Sequence, residues 1–156
     1  MNDKVEIEKY AVNLFSEEAS YGHLKVLIDK NEWWQTRISW LGEKVALELV
    51  LDWRDQLVTF LFVKLEEGKL PEGYFVSREK RCRYYIGKIV QEKPSVFCES
   101  EIKNIKNSLN AIRNTDSFKE KIDGYHDIIA NNIAHILECE DMIFADVVKK
   151  QKRKLP

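Results

Sequence analysis

The chain contains few of the residues that build disulfide frameworks, zinc sites and phosphate-binding loops. It has only three cysteines, three prolines and six glycines among 156 residues. Cys82, Cys98 and Cys139 are odd in number and far apart, which favours reduced thiols over a disulfide framework. Structural zinc sites use Cys or His ligands in closely spaced pairs, and these cysteines have no such neighbours. The sequence therefore predicts free thiols.

Glycine-rich motifs and long apolar runs are also absent. The scattered glycines match neither the dinucleotide-binding nor the P-loop pattern. The longest apolar run, residues 57–63, is far shorter than the roughly 20 residues that span a bilayer. Residues 1–10 lack the continuous apolar segment of a secretory signal. We expect a cytoplasmic protein with no cofactor and no membrane contact.

The charges nearly cancel, since 25 basic residues face 26 acidic ones. The long-range electrostatic field should therefore be weak, and nucleic acid is an unlikely partner. A chain of this length buries roughly two thirds of its unfolded surface in one core. We predict a single domain, residues 1–156, with a helix and sheet in residues 1–76 and a helical part in residues 77–156.

Residues 33–65 have the strongest pattern, because apolar side chains recur at every second position through three runs separated by short polar turns. That period is typical of antiparallel strands. In the third run, residues 57–65 are apolar on both faces, which predicts that more structure or another chain covers the second face. Residues 24–28 also alternate, and they fit a short strand or a helical turn.

Helical spacing appears on both sides of this block. Asp3 is a candidate N-cap of a first helix, and Ser77 of another that includes Cys82 and Tyr85. Later apolar stripes predict helices from residue 102 and from the Ser117 capping box; whether the last one continues past residue 138 is left open. The fold class predicted is α+β: an antiparallel meander of about four strands with an N-terminal helix and a C-terminal group of three or four helices.

Two sets of polar residues resemble metal sites. The first lies on one face of the last long helix: Asp127, Asn131, His135 and either Glu138 or Cys139. A solvated helix face contains such residues in any case, so the sequence predicts no metal site here. The second set follows the wording of a metal-dependent nuclease: Asp52 or Asp55, then Glu67 and Lys69. Its acidic triplet falls in a glycine-containing loop, where the geometry would be loose.

One cluster of cations and aromatic rings is a candidate phosphate or base contact: Arg78, Arg81 and Arg83, with nearby tyrosines. A solvated helix side is the favoured interpretation. The same cations could lower the pKa of Cys82, although a small buried hydrophobic role is favoured. The basic residues 149–154 are interpreted as a solvated tail.

Large aromatic side chains give the functional hypothesis. Trp33, Trp40, Trp53 and Phe60 are the candidate partner-binding anchors, because tryptophan on an exposed sheet face often anchors an interface. We expect a non-catalytic intracellular module that binds another protein or associates with itself as a homodimer. Inhibition of the partner, in the manner of an immunity protein, is a subclass of this hypothesis. The alternative is a metal-dependent enzyme that acts on nucleic acid or phosphate esters.

Overall fold

A five-stranded antiparallel meander forms the centre of the structure, a computed structural model that describes residues 2–72 and 81–145. Each strand pairs with the next along the chain, in the order β1-β2-β3-β4-β5. The strands are β1 (Lys25–Asp29), β2 (Gln35–Leu41), β3 (Val45–Asp52), β4 (Leu57–Lys64) and β5 (Arg83–Tyr85). The predicted meander is confirmed, with a fifth strand added.

Helices precede and follow the sheet, which confirms the α+β class. They are α1 (Asn2–Leu14), α2 (Ser16–Tyr21), α3 (Ile86–Glu92), α4 (Ile102–Arg113), α5 (Phe118–Glu138) and α6 (Glu140–Ile143). The open question about the last helix is answered, because α5 ends at Glu138 and α6 follows as a separate turn. At the start of α5, the Ser117 hydroxyl accepts the Glu120 backbone N–H at 3.2 Å, as the capping box predicts.

The helix predicted to begin after Ser77 is corrected, because its described part begins as a strand. Residues 73–80, including Ser77, lie outside the described residues. Residues 83–85 form strand β5, and the helix begins only at Ile86. Tyr84 pairs with Phe62 on β4, so pairing with the existing sheet overrides the helical spacing of these side chains.

One face of the sheet packs against the helices. Ile38, Leu49 and Phe60 lie side by side on β2, β3 and β4 because their strands pair in register. All three are buried, and they belong to a cluster that also contains residues of α1, α3, α4 and α5. The period-2 pattern of residues 33–65 therefore identifies the true core face.

The opposite face, called here the outer face, has its own apolar cluster. Ala46, Val63 and Leu65 are buried there, with Leu41 and Leu70 packed against them. Of the two alternatives for covering the second face of residues 57–65, more structure or another chain, the first holds for most of that run, because this chain buries it. Leu57, at the start of β4, is the exposed part of the run.

Helices α4 and α5 approach closely at Gly124. A Cβ atom added there would lie 2.5 Å from Cγ1 of Ile112, well inside the normal contact distance. The glycine that weakens α5 as an isolated helix is therefore what lets the two apolar stripes pack together.

Candidate protein-contact surface

The first edge of the sheet is open to solvent. Strand β1 pairs with β2 and with no other strand among the described residues. All five of its residues are exposed, and its three central side chains, Val26, Leu27 and Ile28, are 40%, 40% and 46% exposed. An edge strand presents a row of backbone N–H and C=O groups that can pair with another strand.

The centre of β1 has none of the features that usually protect such an edge. Its pairing with β2 runs unbroken from Lys25 to Asp29, so no bulge twists it away. Proline is absent from the strand, and its two charged residues stand at the ends and not in the middle. The exposed aliphatic centre of β1 is therefore available for strand pairing.

A shallow apolar groove lies beside β1 on the helix-packed side of the sheet. Its volume is about 240 Å³, and Val5 and Val12 of α1 line it together with Ile28. Lys9 and Lys30 contribute its polar border. The exposed apolar surface thus continues from the edge strand onto the first helix.

Buried polar contacts fix α1 against the sheet and so define this groove. The carboxylate of Glu8 accepts the Thr36 hydroxyl at 2.7 Å and forms an ion pair with Lys30 at 2.7 Å. Trp53 donates its indole N–H to the Thr36 hydroxyl at 2.9 Å. Its ring also packs against Phe118, with centroids 5.2 Å apart. Trp53 is therefore mainly structural, with partial exposure.

The turn between β1 and β2 carries the most exposed tryptophan. Trp33 is 73% exposed, and the Lys4 ammonium group reaches its backbone carbonyl at 3.4 Å. The neighbouring Trp34 ring instead lies under the Arg54 guanidinium at 4.8 Å. Of the four predicted anchors, Trp33 is the one that stands clear of the protein surface.

Two predicted anchors belong to the core. Trp40 and Phe60 are each 1% exposed, and Phe15 of the N-terminal region packs between them, with ring centroids 4.7 Å and 5.8 Å away. Neither side chain can contact a partner in this conformation, so both are removed from the candidate surface. Both lie on the core face of the sheet, as the alternation predicts. The helices cover that face.

Strand β1 itself was missed as a binding feature. Its signal in the sequence is a run of three aliphatic residues with a charge at each end. The sequence alone does not say which predicted strand forms the edge of the sheet. The order β1-β2-β3-β4-β5 decides that question.

Both described residues of the predicted basic patch, Arg81 and Arg83, form ion pairs with carboxylates. Arg83 is buried, and its Nε lies 3.1 Å from the buried Glu48 carboxylate, which also accepts the Ser39 hydroxyl at 3.2 Å. Arg81 pairs with Glu92 at 3.3 Å. These two ion pairs hold β5 and the residues just before it against β3 and α3. Arg78 lies outside the described residues.

Tyr84 of β5 makes further contacts that close this edge of the sheet to a partner strand. Its hydroxyl donates to the Glu92 carboxylate at 2.5 Å, and the Arg81 guanidinium lies over its ring at 4.0 Å. Burial, and then the hydrogen bond to Glu92, raise the pKa of Tyr84 to about 12. The same hydrogen bond lowers the pKa of Glu92.

The nuclease-like residues are far apart. Asp52 lies at the end of β3 beside the start of β4, whereas Glu67 follows the end of β4. The intervening strand is about 23 Å long at about 3.3 Å per residue. Lys69 belongs to a tight turn closed by hydrogen bonds with Glu66. These groups cannot hold one metal ion together.

The polar face of α5 does not converge on a metal site either. His135 Nε2 lies 2.8 Å from the Ser95 carbonyl, and the Cys139 thiol lies 3.7 Å from the same oxygen. Burial and the neighbouring Glu138 raise the pKa of Cys139. Within residues 2–72 and 81–145, no three His, Cys, Asp or Glu side chains form a metal-binding group.

Other polar side chains join the N-terminal helices to α5. Glu18 and His126 form a hydrogen bond, as do Tyr10 and Asp123. The hydrogen bond to Asp123, together with burial, raises the pKa of Tyr10 to about 12. These contacts position α1 behind the groove next to β1.

A second open region lies on the outer face. It is a groove of about 290 Å³ between β2 and β5, and its lining includes Arg37, Val50, Leu57 and Tyr85. Burial lowers the pKa of Arg37 there. The groove mixes apolar and charged groups, and its floor is the buried Glu48–Arg83 ion pair described above.

None of the helices in the described part of the chain has the length and apolar content needed to cross a bilayer. Comparison of the chain with protein-family models, with curated proteins and with solved structures gives no match. The candidate surface is therefore defined by the geometry of this chain: the exposed edge β1, the groove beside it and Trp33.

Proposed function

We propose that the protein is a non-catalytic module that acts inside the cell by binding another protein or a second copy of itself. One observation carries the proposal: β1 is an edge strand whose five residues are all exposed and whose centre is aliphatic. Proteins ordinarily blunt such edges, because an open edge pairs with other chains. An unprotected edge is therefore best explained as a contact site.

Strand addition explains how this edge would bind. A partner strand would satisfy the outward backbone groups of β1 and extend the sheet. Side chains alternate along the strand, so Leu27 would contact the partner on the outer face, and Val26 and Ile28 on the helix-packed face. Backbone pairing supplies affinity, and these side chains supply selectivity.

Trp33 would extend the contact beyond the strand. A tryptophan that is largely exposed in the free protein has a large apolar area to bury, and tryptophan is enriched among residues that dominate binding energy. Its position in the turn after β1 places it at the end of the same edge. If β1 occupied an edge strand that the partner itself needs, binding would inhibit the partner. Immunity proteins inhibit their partners by binding in this general way.

Photocrosslinking inside cells tests the proposal directly. The photoreactive residue p-benzoylphenylalanine replaces Trp33 in one variant and the exposed Lys106 of α4 in the control. Both variants are expressed in the organism that encodes the chain. We expect a discrete adduct with protein from position 33 and none from position 106. Adducts of equal yield at both positions, or none at position 33, would contradict a protein contact at this edge.

A second substitution confirms that β1 carries the contact. Val26→Asp places a charge in the aliphatic centre of the edge, and Leu57→Asp places one at an exposed leucine of β4. The first change should abolish the adduct from position 33, and the second should leave it intact. Loss in both variants would indicate a general effect of added charge.

A further inference from the structure

We propose that the partner of β1 is β1 of a second copy, paired antiparallel about a two-fold axis at Leu27. The inference rests on the proposed function and names its partner. It unites two five-stranded sheets into one continuous ten-stranded sheet. The argument begins with the sequence of the strand, Lys-Val-Leu-Ile-Asp.

This sequence is complementary to itself when reversed. Antiparallel pairing about Leu27 places Lys25 opposite Asp29 of the second copy and Val26 opposite Ile28 of the second copy. Leu27 then faces its own equivalent. Both ends form opposite-charge cross-strand pairs, and all three central pairs are aliphatic, which are the combinations that stabilise antiparallel sheets.

The two faces of the sheet restrict the register. A two-fold axis perpendicular to the sheet keeps the helix-packed faces of both copies on the same side, so residues of one face must pair with residues of the same face. Sliding the strands by one residue breaks this rule. Sliding by two pairs Leu27 with Asp29 or Lys25. The register about Leu27 is thus the one that matches every position.

The surroundings of β1 suit a second copy. On the helix-packed side, Val26 and Ile28 of the second copy would lie beside the groove that Val5 and Val12 line. This contact adds apolar area to the backbone pairing, which matters because a stable interface buries roughly 1,200–2,000 Å² in total. On the outer face, Asp29 already lies across from Arg37 of β2, so the two new Lys–Asp pairs join an existing row of alternating charge.

The pairing also closes on itself. Each copy contributes the same patch, so the contact is isologous and stops at two chains. The remaining edges of the ten-stranded sheet are the two β5 strands, which are three residues long and lead directly into α3. We therefore expect a dimer and not a filament.

Cysteine crosslinking tests the axis. Leu27→Cys places two thiols opposite each other at the two-fold, whereas Leu57→Cys is the matched change at another exposed leucine. After mild oxidation, Leu27→Cys should give a disulfide dimer in high yield. Leu57→Cys and the unaltered chain, with its own three cysteines, should remain at background.

Mixing variants tests the register. Val26→Cys alone and Ile28→Cys alone should crosslink poorly, because each thiol faces an aliphatic side chain. An equimolar mixture should crosslink several-fold more than either variant alone. Similarly, Lys25→Glu and Asp29→Lys should each weaken dimerisation by like-charge contact, while their mixture should form the heterodimer. Circular dichroism verifies that each variant is folded.

Solution mass gives the overturning result. Sedimentation of the unaltered chain should show a concentration-dependent rise from 18.4 kDa toward twice that mass. A chain that stays monomeric at high micromolar concentration would overturn the inference, as would a dimer in which Leu27→Cys crosslinks no better than Leu57→Cys. If position 33 still captures another protein in cells, the protein-binding function stands and the self-pairing fails; if it captures nothing, both fail.

Discussion

The two edges of the sheet have opposite character. Strand β5 is short and is fastened by buried or partly buried contacts of Arg83, Tyr84 and Arg81. Strand β1 is longer, and all of its side chains are exposed. Charged and aromatic side chains thus close one edge of the sheet, whereas the centre of the other edge is aliphatic and open. This asymmetry is the physical basis for placing a partner at β1.

The comparison also separates two uses of charge. Glu48 and Arg83 are removed from water and satisfy each other, with a further hydrogen bond from Ser39. Lys25 and Asp29 remain in water at the ends of β1. A buried pair is costly to break, whereas an exposed charge costs little to change. Substitutions at the two edges should therefore have very different effects on stability.

The largest effect is expected at the closed edge. Arg83→Met would leave the Glu48 carboxylate buried without its cation, which should lower the free energy of unfolding by about 3–5 kcal/mol. The double variant Glu48→Leu/Arg83→Met should recover most of that loss, because no charge then remains unpaired. Urea unfolding measures both variants. Equal stability of Arg83→Met and the unaltered chain would mean that the pair does not close this edge.

A similar loss of stability is expected for a core substitution on β2, the strand that pairs with β1. Trp40→Ala should lower the free energy of unfolding by about 3–5 kcal/mol, because the buried ring beside Phe15 leaves a cavity. Trp33→Ala should change it by no more than about 0.5 kcal/mol. Thermal unfolding monitored by circular dichroism distinguishes the two tryptophans. Comparable losses would show that Trp33 is structural and weaken its role as an anchor.

A smaller effect is expected at Tyr84. Tyr84→Phe removes the hydrogen bond to Glu92 and should cost about 1 kcal/mol at neutral pH. The pKa of about 12 in the folded state exceeds the ordinary value near 10. The unfolded chain therefore loses this proton first, so the stabilisation is present below pH 10 and is lost between pH 10 and 12.

Unfolding experiments at a series of alkaline pH values measure this dependence. Stability of the unaltered chain should fall more steeply between pH 10 and 12 than that of Tyr84→Phe. Tyr10 and Tyr125 also have pKa values raised to about 12, so part of the slope should remain in the variant. Identical slopes would show that burial and the hydrogen bond to Glu92 do not raise the pKa of Tyr84 in solution.

The smallest effect on folding is expected at the open edge. Leu27→Lys should change the stability of the monomer by no more than about 0.5 kcal/mol, since the side chain is already partly in water. It should nevertheless abolish self-association, because two ammonium groups would meet at the two-fold axis. Urea unfolding at low concentration and sedimentation at high concentration measure the two properties. A large loss of monomer stability would mean that β1 is part of the core.

Much of the sheet could be predicted from side-chain alternation. Strands β2, β3 and β4 and the assignment of Ile38, Leu49 and Phe60 to one face follow from a period of two, which depends only on local geometry. The Ser117 cap and the stripes of α4 and α5 follow from local rules as well. Strand β5 was misassigned as helix, because its state depends on pairing with β4, a contact across some 20 residues.

The site could be predicted only in part. The sequence identified Trp33 as a candidate contact residue but grouped it with Trp40, since both are large aromatics in the same alternating segment. It grouped Arg83 with Arg81 as surface cations, although Arg83 pairs with Glu48 on β3. Burial and ion pairing depend on which distant segments cover a residue, and no local pattern contains that information.

By itself, the sequence determined the α+β class, the core face of the central strands and the helix-capping signal, because each arises from interactions within a few residues. Only the tertiary structure decided which strands are edges, which tryptophans face water and which charges are paired. Those properties arise when segments far apart in the chain pack together and exclude water from one edge of the sheet while leaving the other exposed.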